Sequence, residues 1–300
     1  MASSTKNDNA FESQLFSITT IIKSILTKGG KTYCSQGSGF YYNQVSPSGP
    51  NIKGAQWYAL DKSWLVTNKH VVLLNIDGVE CVPDRFDFFI RENINGYIQW
   101  KPISLNQAQL ISSLKLHKQS EIDVALIDIS PYIEEIIKNP GTQDIYLPTT
   151  LSNTNLPENQ PLSIDVTSDI IVASYPKGFY DKLNKFPIVK SGIIASAWGS
   201  HFNGLPIFQI DAQLFPGSSG GLVISKPTNI AMIDGSLKYN QTKQFVFLGV
   251  YSGEFKWFEE INICGNIVKM GNSYGLGNVW YSYLIPEIIS DGVNWNPSAL

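Results

Sequence analysis

Short runs of apolar and β-branched residues, separated by turn-forming residues, dominate the chain from residue 32 onward. The runs are rich in Val, Ile, Tyr and Phe and are broken by Gly, Pro, Asn and Asp, a pattern typical of an all-β barrel or sandwich. The predicted strands cover residues 39–42, 57–60, 64–67, 86–90, 97–101, 124–129, 170–174, 188–197, 207–214, 221–224, 245–251 and 279–283. These strands suffice for two small barrels.

Before residue 32 the apolar residues follow a helical spacing instead. They are Phe11, Leu15, Ile18, Ile21, Ile22 and Ile25. Asn9 and Glu12 form a predicted cap pair, and Gly29 with Gly30 ends the run. We predict one amphipathic N-terminal helix that packs on the protein body, because its polar face carries too few basic residues to favour a membrane surface.

A second short helix is predicted over residues 131–138, since Ser130 can cap it and Pro131 suits the first helical position. A polar stretch with several prolines follows, which predicts a connection between two barrels. The expected organisation is an N-terminal polar segment and helix, a first barrel, a helix with linker, and a second barrel with the C-terminal tail. These parts cover residues 1–30, 31–130, 131–165 and 166–300.

Composition narrows the classes of partner. With 22 basic and 25 acidic residues the net charge is -3, which gives no field that would gather nucleic acid or anionic lipid. Cys34, Cys81 and Cys264 are an odd, widely spaced set, so we expect reduced thiols in core or strand positions, neither a disulfide framework nor a zinc site. The N-terminus shows no apolar leader, and no apolar run is long enough to span a membrane. We therefore expect a cytoplasmic protein with no nucleic-acid or membrane partner.

A glycine-rich turn at residues 215–221 places Ser219 between two predicted strands. Acyl transfer needs backbone N–H groups aimed at the developing oxyanion, and glycine beside a nucleophile leaves room for a substrate carbonyl. The N–H groups of Gly217 and Ser219 are the natural donors. Because Gly and Ser are common in ordinary turns, the turn alone is equally consistent with a structural loop.

Two further residues become informative in combination with Ser219. His70 follows an apolar strand at residues 64–67, where a base would be accessible, whereas His117 and His201 lie in polar segments and are predicted to be surface residues. Asp123 begins an apolar strand, and a carboxylate there needs a partner such as an imidazole N–H. Asp128 lies five residues later and should point to the opposite face of the strand. Taken singly, His70 and Asp123 are also consistent with surface and turn roles.

Together the segments resemble the trypsin-like serine peptidase superfamily, in which the order along the chain is His, Asp, Ser. The resemblance is most specific to the HtrA-like bacterial branch. It rests on the segments 37–40 (Gly-Ser-Gly-Phe), 67–71 (Thr-Asn-Lys-His-Val), 122–126 (Ile-Asp-Val-Ala-Leu), 175–178 (Tyr-Pro-Lys-Gly), 189–196 and 210–217, and it covers roughly residues 35 to 286. The resemblance implies an all-β fold of two six-stranded antiparallel β-barrels of the chymotrypsin type, with the N-terminal helix and the inter-barrel helix added.

The resemblance also implies a mechanism. Ser219 would attack a peptide carbonyl, His70 would act as its base and Asp123 would orient the histidine, with Gly217 and Ser219 forming the oxyanion hole and with no metal or cofactor. Substrate would contact four further residues, Gln213, Tyr251, Ser252 and Gly253. Gln213 would form the base of the primary specificity pocket and is uncharged, which predicts a neutral P1 residue, although nearby Glu254 leaves a basic preference open.

Departures from the family shape the expected regulation. The position before the nucleophile is Ser218 and not a carboxylate, so activation by a freed N-terminus is not expected. We expect no PDZ domain, and residues 253–275 form a candidate lid or surface for a regulatory protein.

The resulting hypothesis is a selective intracellular serine endopeptidase in a stress or defence pathway. One alternative is a catalytically silent binding module or chaperone with the same fold. An esterase is disfavoured, because the chain lacks alternating strands and helices.

Overall fold

A computed structural model describes residues 10–47, 58–94, 97–138, 151–177, 179–233, 236–263 and 266–295. The helices of this part are α1 (Ala10–Ile18), α2 (Lys69–Val72), α3 (Gln107–Ser113), α4 (Ser130–Lys138) and α5 (Leu284–Asp291), with 3-10 turns at Asn153–Asn155 and Pro157–Asn159. The strands are β1 (Thr19–Lys28), β2 (Lys31–Pro47), β3 (Tyr58–Thr67), β4 (Leu74–Ile76), β5 (Val79–Cys81), β6 (Arg85–Ile94), β7 (Tyr97–Asn106), β8 (Leu114–Leu116), β9 (Ala125–Asp128), β10 (Asp169–Ser174), β11 (Ile188–Ile194), β12 (Ile207–Asp211), β13 (Gly221–Ser225), β14 (Thr228–Ile233), β15 (Ser236–Gln244), β16 (Phe247–Ile263), β17 (Asn266–Tyr281) and β18 (Val293–Asn294).

The second half of the chain forms a closed antiparallel barrel, which we call the barrel lobe. Its six described strands follow one another in the order β10-β11-β12-β17-β16-β13. Alternate side chains of these strands point inward, and the core includes Val172, Phe208, Val223 and Val279, all of them buried. Here the predicted six-stranded barrel is confirmed.

The first half forms an antiparallel sheet, which we call the sheet lobe. Its eight described strands are ordered β18-β8-β9-β3-β2-β1-β6-β7. A buried core that includes Leu65, Phe86 and Ile127 lies against it. The sheet has two end strands in this order, so the described residues show one closed barrel, whereas the sequence predicted two.

The predicted N-terminal helix is wrong over its second half. Only Ala10–Ile18 is helical, and Thr19–Lys28 is strand β1, which pairs with β2 from Thr19 opposite Phe40 to Lys28 opposite Lys31. The segment combines β-branched residues with burial on both faces, for example at Ile21 and Ile22. A strand buried on both faces shows no alternation, so its apolar residues also fit a helical spacing. Asn9, the predicted cap, lies outside the described residues.

The predicted inter-barrel helix is confirmed as α4. Of the predicted linker that follows it, residues 139–150 lie outside the described residues, and residues 151–165 contain the two 3-10 turns. Strand β18 lies on the sheet lobe, since it pairs with β8 at Val293 opposite Leu116. Both β1 and β18 therefore belong to the sheet lobe, although the sequence assigned them to a separate helix and to the second barrel. Cys34 in β2 and Cys81 in β5 are unbridged thiols in strands, and Cys264 lies outside the described residues.

The two lobes share a hydrophobic interface. Phe40 and Val66 of the sheet lobe pack with Leu222 and Phe247 of the barrel lobe, and all four are fully buried. The Phe40 and Phe247 rings meet edge to face with centroids 5.4 Å apart. This interface fixes the relative position of the segments that follow β3, β8 and β12. No helix in the described part of the chain is both long and apolar enough to cross a membrane.

Candidate active site

His70 lies just beyond the end of β3, as the sequence predicted, in the four-residue helix α2. Its side chain is 50% exposed, and its Nδ1 lies 2.7 Å from Asp123 Oδ2. The His70 backbone N–H donates to the other carboxylate oxygen, Oδ1, at 2.9 Å. A carboxylate on Nδ1 favours the proton on that nitrogen and leaves Nε2 as the basic atom.

Asp123 lies between β8 and β9 and is held by two further contacts. The Ser252 hydroxyl donates to Asp123 Oδ2 at 2.7 Å, so this oxygen serves both the histidine and a residue of the barrel lobe. The buried Asn68 side chain donates from Nδ2 to the Asp123 carbonyl at 2.7 Å. Since Asn68 also precedes α2, it links the two segments that carry His70 and Asp123.

Asp128 faces a different environment, which confirms the prediction that only one of the two acids addresses the histidine. Its carboxylate accepts from Lys62 Nζ at 2.7 Å and from the Ser130 backbone N–H at 3.0 Å. Although burial acts in the opposite direction, these hydrogen bonds hold the pKa of Asp128 below its usual value. Asp128 therefore has a structural role.

Ser219 lies in the glycine-rich turn that joins β12 to β13. Gly217 and Gly220 have φ angles of +93° and +81°. A Cβ at Gly220 would stand 2.0 Å from the carbonyl oxygen of Ser38, so this position requires glycine. The half-buried Ser219 donates its hydroxyl to the Ser252 carbonyl at 2.8 Å. Within the described part of the chain, no hydrogen bond joins this hydroxyl to His70.

The turn also orients the two predicted oxyanion donors. The Pro216 carbonyl accepts from Lys177 N at 2.7 Å, and because the trans peptide directs its C=O and N–H oppositely, the N–H of Gly217 points away from Lys177. The Ser218 carbonyl likewise accepts from Gly221 N at 2.9 Å, which directs the N–H of Ser219 away from that contact. Neither N–H donates to a backbone carbonyl of the residues that the structure covers.

Ser38 joins these parts, a role that the sequence analysis missed. Its N–H donates to the Ser219 carbonyl at 2.7 Å, and its hydroxyl donates to the Gly217 carbonyl at 2.9 Å. The same hydroxyl accepts from Tyr175 N at 2.8 Å, and the Ser38 carbonyl accepts from the Thr67 hydroxyl at 2.7 Å. The feature of the sequence that could have indicated this role is a small polar residue between two glycines, in a strand that leads to the lobe interface.

The four predicted substrate-binding residues have different surroundings. Gln213 is exposed at a cleft of about 330 Å³, and Gly253 is half-buried, with open space where a Cβ would stand. Ser252 contacts both Asp123 and Ser219. The Tyr251 side chain is only 2% exposed and packs inside the barrel core, so the predicted pairing with a substrate would involve the backbone of this residue. Burial, followed by the charge of Glu254, raises its pKa far above the usual value.

The other two histidines illustrate the limits of local sequence. His117, predicted at the surface, is 8% exposed: its Nδ1 accepts from Gln119 N at 3.0 Å, and its Nε2 lies 3.1 Å from Glu287 of α5. The surrounding polar segment concealed this packing. His201 is exposed, as predicted. No group of three or more His, Cys, Asp or Glu side chains in the described residues could hold a metal ion.

A family model described as a trypsin-like peptidase domain matches residues 37–229. The match covers more than half of the chain and includes His70, Asp123 and the whole turn around Ser219. No curated protein matches the chain.

Proposed function

Because the chain belongs to the family of trypsin-like peptidase domains, which makes it a serine peptidase in general terms, we propose that it cleaves peptide bonds within protein substrates. Ser219 is the nucleophile, His70 the base and Asp123 the residue that orients the base. One observation carries the proposal: the His70–Asp123 pair, 2.7 Å apart, occurs together with a serine in a turn whose two N–H groups are available.

The proposed reaction begins when Ser219 Oγ attacks the peptide carbonyl carbon and its proton passes to His70 Nε2. The carbonyl oxygen becomes an oxyanion, which accepts hydrogen bonds from the N–H groups of Gly217 and Ser219. His70 then gives the proton to the leaving nitrogen as the C–N bond breaks. Water, deprotonated by the same Nε2, attacks the acyl-enzyme and regenerates Ser219, while Asp123 stays ionised throughout and stabilises the imidazolium.

The resting hydroxyl must first change its partner. Ser219 Oγ donates to the Ser252 carbonyl, and rotation about its Cα–Cβ bond is the movement that we propose for engagement of His70. The hydrogen bond between a nucleophile and its base often forms only when substrate is bound, so the contact between the Ser219 hydroxyl and the Ser252 carbonyl is compatible with catalysis. A substrate that pairs with the backbone at residues 252–253 would favour the change.

The surroundings of Ser218 support an activation route that does not use a freed N-terminus. Ser218 is fully buried and accepts a hydrogen bond from the Ser174 hydroxyl at 3.1 Å. Because the Ser218 hydroxyl is neutral and hydrogen-bonded, it could not serve as the counter-ion of a freed N-terminal ammonium group. We propose instead that substrate or a regulatory protein turns the Ser219 hydroxyl from the Ser252 carbonyl toward His70. We also propose the HtrA-like relationship that the sequence resemblance suggests.

The predicted lid, residues 253–275, is described in part. Strands β16 and β17 pair along it, but the side chains of Trp257 and Phe258 lie outside the described residues.

A second function is favoured by one specific observation. The contact between the Ser219 hydroxyl and the Ser252 carbonyl is also what a catalytically silent binding module would show. Such a protein would keep the fold and the cleft but would not form an acyl-enzyme.

Labelling with a fluorophosphonate separates the two functions. We expect the wild type to form an adduct at Ser219 and to hydrolyse casein, and we expect both signals to be absent in Ser219→Ala and His70→Ala. Ser112→Ala is the matched control, because Ser112 is an exposed serine on α3, and it should label like the wild type. A folded wild type that neither labels at Ser219 nor hydrolyses casein would establish the binding module instead.

A further inference from the structure

A small cavity on the barrel lobe, which we call the aromatic cavity, shares no residue with the proposed active site. Its volume is about 170 Å³, and the residues that line it include Pro157, Glu158, Trp198, His201, Tyr281 and Tyr283. They come from the second 3-10 turn, from the loop between β11 and β12, and from the end of β17 with its link to α5. Drug-sized ligands occupy pockets of about 300–1,000 Å³, so this cavity suits a smaller group.

Aromatic rings form walls of the aromatic cavity in two orientations. The rings of Tyr281 and Tyr283 are nearly parallel, with centroids 5.6 Å apart and an angle of 19° between their planes. The Trp198 ring stands across them, with its centroid 5.1 Å from that of Tyr281 and its plane at 66° to it. Trp198 and Tyr281 also pack on the buried Phe208, with centroids 5.0 Å away in both cases. Because these contacts anchor the rings to the barrel core, the walls are formed in advance of any ligand.

The tyrosine hydroxyls of these walls are already hydrogen-bonded within the protein. The Tyr281 hydroxyl donates to the Ser200 carbonyl at 3.1 Å and accepts from Gly199 N at 2.9 Å. The Tyr283 hydroxyl oxygen lies 2.9 Å from His201 Nε2. A group that enters the cavity therefore meets mainly aromatic surface, and any N–H donors that it carries would exchange water for few acceptors, which is unfavourable.

The electrostatics of the aromatic cavity favour a cation. None of the described lining residues is Lys or Arg, and no ion pair among the described residues occupies the exposed carboxylate of Glu158. Glu287 of α5, which also contacts His117, contributes after burial to a raised pKa of the Tyr283 phenol, so its negative charge acts on this wall. The faces of aromatic rings are themselves electron-rich and attract cations.

We propose that the aromatic cavity binds a trimethylammonium group, such as that of choline or of a trimethylated lysine side chain. This group is a cation without N–H donors, so it gains from the ring faces and does not need the hydroxyls that are already hydrogen-bonded. Its methyl groups bury apolar surface against the rings, while Glu158 places a negative charge among the lining residues. A primary ammonium is more strongly hydrated and carries three donors, so it should bind more weakly.

Titration calorimetry at constant ionic strength, with choline and its neutral isostere 3,3-dimethylbutanol, tests the proposal. We expect choline to bind at least about tenfold more tightly than the isostere, because three rings face the charge. Tyr283→Leu, at a side chain that is 38% exposed and tolerant of change, should weaken choline binding at least about fivefold, whereas Tyr283→Phe keeps the ring and should stay within about twofold. The matched control is Tyr239→Leu, at an exposed tyrosine on β15, and it should bind choline like the wild type.

The contribution of the carboxylate is measured in the same titration. Glu158→Gln should weaken choline binding about two- to threefold, as expected for an exposed charge, and Glu12→Gln, at an exposed glutamate on α1, should have no effect.

Two amino-acid probes, the N-acetyl amides of trimethyllysine and of lysine, distinguish the sources of the group. Binding of choline or of the trimethyllysine amide that requires the Tyr283 ring would support the site, and the tighter of the two identifies the source. Equal affinity for choline and its isostere, or for the two lysine amides, would overturn the proposal. A folded wild type that binds neither trimethylammonium probe would show that these rings only complete the barrel core.

Discussion

The two lobes contribute different parts of the proposed active site. The sheet lobe carries the proposed base and its carboxylate as a formed pair, with His70 Nδ1 2.7 Å from Asp123 Oδ2. The closed barrel lobe supplies Ser219 in a turn whose donors are already directed away from their neighbours. The sheet lobe orients its part of the site by a hydrogen bond between two side chains, whereas the barrel lobe orients its part by the backbone conformation of the turn. Neither lobe therefore holds a complete site.

Each lobe also contributes a side chain that binds the part of the site on the opposite lobe. Ser252 of the barrel lobe donates to Asp123, and Ser38 of the sheet lobe binds the carbonyls of Gly217 and Ser219. The hydrophobic interface between the lobes thus sets the geometry of the site, because these contacts cross it. Three substitutions probe this division of labour.

The largest effect is expected from Asp123→Asn, which removes the charge that orients His70 and favours the wrong tautomer. We expect kcat to fall about 10⁴-fold. Asp128→Asn makes the same chemical change at a carboxylate that contacts Lys62 and Ser130 instead of His70, so its kcat should stay within about twofold of the wild type. Equal losses in both variants, measured on one peptide substrate, would show that Asp123 acts through the stability of β9 and not through His70.

An intermediate effect is expected from Ser38→Ala, which removes the side-chain hydrogen bonds that Ser38 makes across the lobe interface. The change leaves the buried Tyr175 N–H and Gly217 carbonyl without their partner, which should lower the free energy of unfolding by about 1–3 kcal/mol. It should also loosen the oxyanion turn, so that kcat falls by about tenfold while KM changes little. The control is Ser35→Ala, a half-buried serine of the same strand. A destabilised Ser38→Ala variant with unchanged kcat would make Ser38 a structural residue only.

The smallest effect concerns Asp128 and distinguishes stability from catalysis in the sheet lobe. Because its pKa is lowered in the folded state, Asp128 stabilises the fold above the unfolded-state pKa of about 3.9, and this contribution is lost as the pH falls through the folded-state value. Denaturant titrations from pH 6 to pH 2.5 should show a smaller loss of stability for Asp128→Asn than for the wild type. The difference should be no more than about 1 kcal/mol, since Lys62 is half exposed. Identical pH profiles would contradict the assignment.

Local sequence predicted the strands well where burial alternates or where the run is bounded by turn residues. All twelve predicted segments overlap strands of the structure. It failed at β1, because a strand buried on both faces carries no alternation, and it missed short strands such as β4 and β8, which are only three residues long. His117 was misplaced for a related reason: its burial depends on α5, which is distant in sequence.

The candidate residues could be recognised from local sequence, since a glycine-rich turn, a histidine after a strand and an acid before one are local features. That Ser38 and Ser252 hold groups of the opposite lobe, and that the Ser219 hydroxyl donates to the Ser252 carbonyl, became visible only in the fold. The physical reason is that hydrogen bonds and charge act over a few ångströms in space. Residues as far apart in the chain as Ser38 and Ser219 come within that range only when the two lobes pack together.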